Sequence, residues 1–326
     1  MCAIRVDDLS KTYRVTDREA GVGASLKSLF RRRYREVHAV QGVTFRVEPG
    51  EIVGFLGPNG AGKTTTLKVL SGLLHPTGGE ATVLGHVPWR RERDLLRNLS
   101  LVMGNRNQLV WDIPAMESFL VNQAIYEIPE ARFRATLDEL VELLDLEPLL
   151  RKPVRGLSLG ERMKCELAAA LLHRPSVVFL DEPTLGVDLT MQTRIRRFVA
   201  DHNRLHGATV ILTSHYMADV TALCKRVIVI HHGHLLYDGP LGALAARIAP
   251  FKLVRLDVDR EEAAADAERY GEVLSREGPK VVLRVRRPEA SAIVSRLLAD
   301  LPVVDLTVED PPIEEVIDQV FQGATA

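Results

Sequence analysis

The segment EIVGFLGPNGAGKTTTLKVLSG, residues 51–72, places an apolar run, a glycine-rich loop and a helical pattern in direct succession. The apolar run Ile52–Leu56 reads as a buried strand, and the leucines after residue 66 recur at helical spacing. Between them, GPNGAGKTT at 57–65 contains the phosphate-binding pattern G-x4-G-K-[ST] in its required context. The glycines let successive N–H groups turn inward around an anion, and the new helix adds its positive N-terminal end. The segment therefore predicts a nucleoside-triphosphate site, in preference to a plain glycine-rich turn.

Two side chains of this loop have predicted roles toward the phosphates. Lys63 would reach the β- and γ-phosphates, and the Thr64 hydroxyl would ligate Mg²⁺. The other predicted contacts with the nucleotide come from the rest of the same run: Gly57, Pro58, Asn59, Gly60, Ala61, Gly62 and Thr65.

Length and composition bound the class of protein. The 326 residues allow about two domains, and a net charge of −1 gives no sign of nucleic-acid binding. Cys2, Cys165 and Cys224 have neither metal-ligand nor redox-motif spacing, which indicates a reducing compartment. The N-terminus lacks a signal peptide's apolar core, and no run approaches the roughly 20 apolar residues of a membrane span. We therefore expect a soluble, cytoplasmic protein in which any membrane role comes through a partner.

Strands and helices alternate from the first residues to about residue 240. Strands are predicted at 3–9 and 37–56, the second divided at Pro49–Gly50, and later at SVVFLDEP, ATVILTSH, RVIVIHHG and HLLYDG. Long apolar strands that alternate with helices predict an α/β core with parallel strands. Helices are predicted at 91–97, at 115–150 with a break at Pro129, at 158–173 and at about 190–206.

Residues 241–326 change in character and predict a second, small α+β domain. Four strands and two helices follow one another in a βαββαβ pattern, and a last helix begins near residue 312. No catalytic motif is visible there. We therefore divide the chain into a nucleotide-binding domain at 1–240 and an accessory or regulatory domain at 241–326.

Residues 15–37 differ in composition from the strands on either side. A glycine-rich part is followed by Leu26, Leu29 and Phe30, with Arg31, Arg32, Arg33 and Arg35 behind them. One interpretation is a solvated basic insertion, and the other is a short amphipathic helix that touches a membrane or a partner.

A second motif completes the predicted phosphate chemistry. In SVVFLDEP, the apolar run 177–180 delivers Asp181 and Glu182 to the C-terminal end of a strand, where open α/β sheets bind ligands. Asp181 would hold Mg²⁺, and Glu182 would polarise the attacking water as a general base. The alternative, that the two acids merely begin a surface turn, is weak beside a phosphate-binding loop.

The segment GLSLGERMKCELAAALL begins a helix at Ser158. Ser158 and Glu161 have the spacing of a capping box, which is a sufficient structural reason for both residues. The same helix start, with Gly160, would alternatively present N–H groups and a hydroxyl to a phosphate.

The motifs between residues 3 and 240 resemble, in order, those of the ATP-binding-cassette (ABC) ATPases. GPNGAGKTT matches the family's Walker A segment, and VVFLDEP matches Walker B with the adjacent catalytic glutamate. The resemblance implies that the nucleotide is ATP, and that the P-loop core carries an antiparallel β subdomain and a helical subdomain at about 105–172. Tyr13 falls where the family stacks an aromatic ring on adenine.

Three further segments are similar to motifs of this family. LSLGE at 157–161 is similar to the signature LSGGQ, with Leu159 in place of the third-position glycine and Glu161 in place of glutamine. The resemblance implies that Ser158 and Gly160 still contact phosphate through their backbone.

LGVDL occupies the D-loop place, with Asp188 as the matching acid, and TSHYMADV places His215 at the switch position that contacts the γ-phosphate. Taken alone, His215 would more simply be a core histidine, but its place as the last of six motifs in order favours the switch role.

The Q-loop, whose glutamine ligates Mg²⁺ in the resembled family, should lie within LVMGNRNQLVWDIPAMESF. Counting back from Glu117 places its glutamine position at Asn105, whereas Gln108 lies three residues later. Either Asn105 ligates Mg²⁺ through its shorter side chain, or the loop shifts so that Gln108 does. We favour Asn105.

The resemblance also implies partners. In the family, the signature of one copy covers the ATP held by another copy, so this single set of motifs predicts a homodimer or a heterodimer with a related ATPase. The helical segment 115–150 lies where transporter ATPases dock a membrane permease, and the C-terminal extension is similar to that of exporter-type ATPases. We expect an ATP-hydrolysing subunit of an export system at the cytoplasmic face of the membrane. The alternative is a soluble ABC ATPase whose C-terminal domain binds a regulatory protein, and neither reading identifies the cargo.

Overall fold

The computed structural model describes residues 2–16, 34–104 and 108–323. The chain divides into two compact units, Met1–Asp238 and Gly239–Ala326. Asn105 and most of the predicted insertion, including its leucines and Phe30, lie outside the described residues.

The first unit begins with a small antiparallel sheet. Strands β1 (Ile4–Thr16) and β2 (Tyr34–Val47) pair along their length, β3 (Ile52–Leu56) leads into helix α1 (Lys63–Leu70), and β4 (Gly78–Val83) pairs with the other edge of β1. The sheet order is therefore β2-β1-β4.

This pairing shows that the predicted bounds of the insertion, residues 15 and 37, were wrong. Thr16 lies opposite Tyr34, and Val15 lies opposite Arg35, so residues 15–16 and 34–37 continue the strands of a hairpin. The ladder extends beyond the apolar core because backbone pairing does not require apolar side chains. Arg35, expected beside a helix, is a strand residue.

The larger sheet follows from the alternation of strands and helices. Its remaining elements come in this order: α2 (Arg93–Arg97), β5 (Leu99–Met103), α3 (Ala115–Ile125), α4 (Glu130–Leu144), α5 (Leu159–Leu171), β6 (Val177–Asp181), α6 (Leu189–His206), β7 (Thr209–Thr213), α7 (Met217–Leu223), β8 (Arg226–His231) and β9 (His234–Pro240). The sheet order is β5-β6-β7-β3-β8-β9, and the pairs from β5 to β8 are parallel. Every residue of β6 and β7 is buried, as expected for central strands of a parallel sheet covered on both faces. The predicted α/β core is confirmed.

This strand order sets the position of the site. Strands β3, β6 and β7 are neighbours and parallel, so their C-terminal ends meet at one edge of the sheet. The P-loop follows β3, Asp181 ends β6, and His215 follows β7. The two sheets share one apolar core, in which the rings of Phe45 and Phe55 lie 5.7 Å apart.

Helices α3, α4 and α5 form the predicted helical region, and Pro129 stands at the N-cap of α4, where the break was expected. Two cysteines of the first unit, Cys165 on α5 and Cys224 at the end of α7, are buried and unpaired, and burial raises the pKa of each thiol to about 12. Within the part of the chain that the structure describes, no helix is both long and apolar enough to cross a membrane.

The second unit contains the predicted order of strands and helices, preceded by a helix that was not predicted. Its elements are α8 (Leu241–Ile248), β10 (Phe251–Val258), α9 (Glu261–Asp266), β11 (Glu272–Glu277), β12 (Lys280–Arg286), α10 (Ala290–Asp300), β13 (Val303–Glu309) and α11 (Ile313–Gly323). The strands form one antiparallel sheet in the order β11-β12-β10-β13, which is the arrangement of a split βαββαβ fold. Alternate strand residues and one face of α10 form its own apolar core.

Candidate functional site

A cleft of about 290 Å³ opens at the C-terminal edge of the parallel sheet. It brings together most of the predicted nucleotide contacts: Tyr13, Pro58, Asn59, Gly60, Ala61, Gly62, Lys63, Thr64, Thr65 and Glu182. Tyr13 reaches the cleft from β1, and its hydroxyl lies 3.4 Å from Thr65 Oγ1. A phosphate-binding loop, an aromatic ring and a carboxylate thus surround one cavity.

The P-loop folds as the glycine pattern predicts. Gly62, the N-cap of α1, has a φ of 106°, and a Cβ built on it would lie 2.3 Å from the Ala39 carbonyl oxygen. Only glycine fits this left-handed turn at such close approach. Among the described residues, no side chain caps α1. The first N–H groups of this helix point at the cleft and donate to no capping side chain.

Lys63 is buried at the base of this loop. Its ammonium donates to the carbonyl oxygens of Gly57 at 2.5 Å and Pro58 at 3.2 Å. Burial lowers the pKa of Lys63, and the negative charges of Glu182 and Asp181 oppose that shift. The ammonium therefore lies against the carbonyl oxygens of its own loop, within the electrostatic influence of both acids.

Neighbouring strands orient the two acids of Walker B. Asp181 is buried, and one of its oxygens accepts a hydrogen bond from the Thr213 hydroxyl at 2.7 Å. The Glu182 N–H donates to both the carbonyl and hydroxyl oxygens of Thr213, each at 3.1 Å. These bonds hold Glu182 at a φ of 55°, a left-handed conformation that a non-glycine residue adopts at some energetic cost. Such strain is concentrated at functional sites, because the surrounding structure must enforce it.

His215 lies against the same acid, with its Nε2 3.0 Å from Glu182 Oε1. The segment that carries His215 is fixed by Asp219 of α7, which is almost fully buried. Asp219 accepts hydrogen bonds from the hydroxyls of Ser214 and Thr184, at 2.7 and 2.5 Å, and pairs with Arg196 at 2.8 Å. This network joins the chain after β6 to the chain after β7, and the sequence did not reveal it.

The base of the cleft also contains residues that the sequence reading missed. Val37, His38 and Ala39 of β2 line it beside Tyr13. Val37 pairs directly with Tyr13, and His38 Nδ1 lies 3.0 Å from the Thr12 hydroxyl. The pairing of β2 with β1 explains why these residues reach the cleft, because residues opposite each other on neighbouring strands share a face of the sheet. A sequence prediction that included this pairing would have identified them.

The signature segment forms the capping box that its spacing predicts. The Glu161 N–H donates to Ser158 Oγ at 3.2 Å, and the Ser158 N–H donates to Glu161 Oε2 at 2.8 Å. The bond from the Ser158 N–H lowers the pKa of Glu161. None of the signature residues is among the described residues that line the cleft.

The signature start instead packs on the D-loop segment of its own chain. A Cβ at Gly186 would lie 2.9 Å from Leu159 Cδ2, and one at Gly160 would lie 3.3 Å from Met191 Cγ. Asp188 caps α6 by accepting from the Met191 N–H at 2.9 Å. The phosphate site and the signature are therefore two separate places on one subunit.

One of the two Q-loop candidates can be located. The Gln108 side-chain amide donates to the Leu101 carbonyl oxygen of β5, and Gln108 does not line the cleft within the described chain. On the other side of the segment, Gly104 donates to the Asp181 carbonyl oxygen at 2.9 Å, and a Cβ there would lie 2.3 Å from the Glu182 carbonyl oxygen. Position 105 thus follows a residue in contact with Walker B, although Asn105 itself is not described.

The oxygen donors near the P-loop suit magnesium. Thr64 and Asp181 offer a hydroxyl and a buried carboxylate, which are hard ligands. Across the described ranges no cluster of three or more histidine, cysteine or acidic residues could hold a metal by itself. The hydroxyl and the carboxylate suit Mg²⁺, which proteins commonly bind through one or two carboxylates together with substrate phosphates.

Comparisons with known proteins agree with this geometry. Residues 40–185 match the family described as ABC transporter, and residues 250–309 match the EvrA-like ABC transporter C-terminal domain. A daunorubicin/doxorubicin resistance ATP-binding protein, DrrA of Streptomyces peucetius, is 31% identical over 301 residues, which is 90% of this chain and 89% of the relative.

Two further comparisons cover smaller parts of the chain. The Nod factor export ATP-binding protein I of Burkholderia pseudomallei (strain 1710b) is 37% identical over 64% of this chain and 68% of the relative. A dimeric ATP-binding cassette, solved in a post-hydrolysis state with ADP and Pi, shares the fold with a TM-score of 0.60 at 22% identity, over 73% of this chain and 98% of the other.

Proposed function

Because the chain belongs to the ABC transporter ATP-binding proteins, we propose that it powers export through a separate permease by ATP-driven closure of a head-to-tail dimer. The chain is an ATPase of this family. The observation that carries the proposal is the division of its site. The P-loop and Glu182 share one cleft, whereas Ser158 and Gly160 begin a helix elsewhere on the subunit.

The residues of the cleft, and His215 beside Glu182, have distinct roles in this proposal. Tyr13 stacks on adenine, and the backbone N–H groups of the P-loop after Pro58 hold the phosphates with Lys63. Glu182 orients and deprotonates the attacking water, and His215, 3.0 Å away, holds the γ-phosphate. The strained backbone of Glu182 supports this role, since a fixed base loses little freedom on reaching the transition state.

Magnesium would be held by Thr64, Asp181 and, of the two Q-loop candidates, Asn105. The bound ion would neutralise charge on the β- and γ-phosphate oxygens. We prefer Asn105 to Gln108, because Gln108 is not among the described residues that line the cleft and its side chain is directed to Leu101 of β5.

A second copy would complete the nucleotide site. Ser158, Gly160 and Glu161 of each subunit would cover the ATP held by the other, with Asp188 at the same interface. A symmetric pair forms two such sites at once, and two-fold symmetry is the commonest arrangement of oligomers. The partner is either an identical chain or a related ATPase.

The helical region offers a surface for the permease at the cytoplasmic face of a membrane. Val121 and Ile125 lie one turn apart on α3 and are 45% and 66% exposed, and Trp111 and Val110 are exposed nearby in sequence. Exposed apolar groups in such number commonly mark an interaction site. The second unit would serve as an accessory or regulatory domain.

The variant Glu182→Gln tests hydrolysis and dimer closure together. We expect it to bind ATP, to form an ATP-dependent dimer measured by light scattering, and to lose about 10²–10⁴-fold in turnover, the usual contribution of a general base. The wild-type chain with ATP is the control. Unchanged hydrolysis in the variant would exclude Glu182 as the base, and a monomer under all conditions would exclude the closure step.

Capture of the permease tests the transport role. We expect the tagged chain to retain a multi-span membrane protein from a detergent extract, encoded by a neighbouring gene. Val121→Glu with Ile125→Glu should abolish that capture and leave ATP hydrolysis unchanged. Recovery of soluble partners only would count against export.

A further inference from the structure

A buried carboxylate on the signature helix has no role in the site described so far. Glu166 lies on α5, two turns after Ser158, and is 3% exposed. Its two oxygens each lie 3.0 Å from the Gln108 N–H nitrogen, and Oε1 also accepts from the Leu109 N–H at 3.4 Å. Burial raises the pKa of Glu166, and these bonds oppose the shift. Burying a carboxylate costs free energy, and the hydrogen bonds from these two N–H groups offset that cost.

The segment that Glu166 holds is attached to three elements. The Gln108 side chain donates to Leu101 of β5, which belongs to the core sheet. The Val110 N–H donates to the Ser118 hydroxyl of α3 at 3.2 Å. The Trp111 ring lies 5.6 Å from the Arg162 guanidinium, which stands on α5 one turn before Glu166. Residues 108–111 therefore connect the core sheet, the signature helix and the helix with the exposed apolar face.

We propose that Glu166 is a positioning residue for ATP hydrolysis, which fixes Gln108 and Leu109 relative to the signature helix. Gly104 is bonded to the Asp181 carbonyl oxygen, and Gln108 is bonded to Glu166, so both neighbours of positions 105–107 are anchored. A displacement of α5 reaches residues 108–111 through Glu166, and reaches α3 through Ser118. The inference uses the chain's ATPase activity and does not depend on which permease it serves.

Substitution of Glu166 separates this role from general packing. Glu166→Ala removes both acceptors. Glu166→Gln keeps one carbonyl oxygen, and Oε1 alone receives bonds from both N–H groups, so the conservative variant should recover most of the function. Glu142→Gln, an exposed acid on α4, is the matched control.

Amide hydrogen exchange and steady-state kinetics of the full chain give the two readouts. In Glu166→Ala we expect exchange at Gln108 and Leu109 to quicken by at least about tenfold, since a charge-assisted bond is lost. Turnover should fall by about tenfold or more, because small misplacements in a site are costly, while the Kd for ATP stays within about twofold. Glu166→Gln should lie near wild type in both, and Glu142→Gln should match wild type.

Two results would overturn the proposal. One is unchanged exchange at 108–109 together with unchanged turnover in both Glu166 variants. The other is a parallel loss of ATP affinity, turnover and melting temperature, which would mean that Glu166 only stabilises the fold. If Glu166→Ala fails to fold, Glu166→Asp takes its place, because the shorter side chain moves both oxygens away from the two N–H groups. Faster exchange at 108–109 with lower turnover then supports the positioning role, and wild-type exchange with wild-type turnover excludes it. Absence of hydrolysis in the wild-type chain would instead contradict the ATPase assignment.

Discussion

We propose phosphate contacts for two helix starts of the chain, and they are built in opposite ways. Helix α1 begins at Gly62 with no capping side chain in the described structure, so its N–H groups are open to a ligand. Helix α5 begins at Ser158 with a complete capping box, so two of its N–H groups already have protein partners. The first is a binding site that a ligand completes, and the second is a rigid end that exists before any ligand arrives.

We therefore expect the two helix ends to have different roles. An uncapped, positive helix end gains most from an anion, so α1 should supply most of the affinity for ATP. The capped end of α5 has fewer free donors but a fixed shape, so it should supply selectivity for a correctly closed dimer. The substitutions below separate these contributions.

The largest effect should come from the uncapped end. Lys63→Ala removes a charged donor from the P-loop, and such bonds contribute about 1.5–3 kcal/mol, so the Kd for ATP should rise by about 10–100-fold. Lys68→Ala, later on the same helix, is the control and should change Kd by less than about twofold. A fluorescent ATP analogue measures both, and equal affinities in the two variants would contradict the role of Lys63.

A pH dependence should come from the other end of α5. His173 follows this helix and stacks on Tyr126, with ring centroids 3.9 Å apart. Burial lowers the pKa of His173 to about 4, so the folded protein keeps it neutral while the unfolded chain binds a proton below about pH 6.5. Stability is then lost as the pH falls from about 6.5 toward 4, by about 2 kcal/mol between pH 7 and pH 5.

Denaturant titrations at several pH values measure this loss. His173→Leu should flatten the dependence on pH in that range, although His202, whose pKa burial also lowers to about 4, contributes a slope that the variant retains. Parallel pH profiles for the variant and the wild type would show that His173 is not the group responsible.

A smaller effect is expected at the capped end itself. Ser158→Ala removes the cap and should lower the free energy of unfolding by about 1 kcal/mol. If Ser158 also contacts the ATP of the partner subunit, turnover should fall by more than the loss of stability explains. The Kd of a single subunit for ATP should stay unchanged. Ser158→Thr keeps the hydroxyl and serves as the control for capping. A stability loss with normal turnover would leave Ser158 as a cap and nothing more.

The smallest effect should follow from Glu161→Gln, because a capping box accepts either residue at this position. The variant also restores the glutamine of the family's signature, and we expect stability within about 0.5 kcal/mol of wild type. Thermal unfolding and turnover measure the change. A large drop in turnover would show that the negative charge of Glu161 has a task beyond capping.

Local patterns predicted much of this molecule, because they depend on residues close together in sequence. The P-loop, the strand before Asp181 and the capping box at Ser158 are all such patterns, and the structure contains each of them. The full length of the β1–β2 hairpin was missed, because its outer residues, Val15 and Tyr34 among them, are exposed and belong to no buried face that would mark the strands.

Contacts between distant residues could not be predicted in the same way. Glu166 and Gln108 are 58 positions apart, and Asp219 meets Thr184 across 35 positions. The sequence does indicate that Glu166 is unusual. It is a charged residue directly before the apolar run LAAALL, at a position that faces the core. A charge in such a place requires a partner, although only the fold identifies it.

The buried thiols of Cys165 and Cys224 have a practical consequence. Since the thiolate is the reactive form and both groups have a pKa of about 12, alkylating reagents at neutral pH should leave them untouched. Replacing the partly exposed Cys2 would then give a chain without reactive thiols, with the native core intact. Spectroscopic labels on introduced surface cysteines, one beside the P-loop and one beside the signature, would report the distance between two copies as nucleotide is bound and hydrolysed.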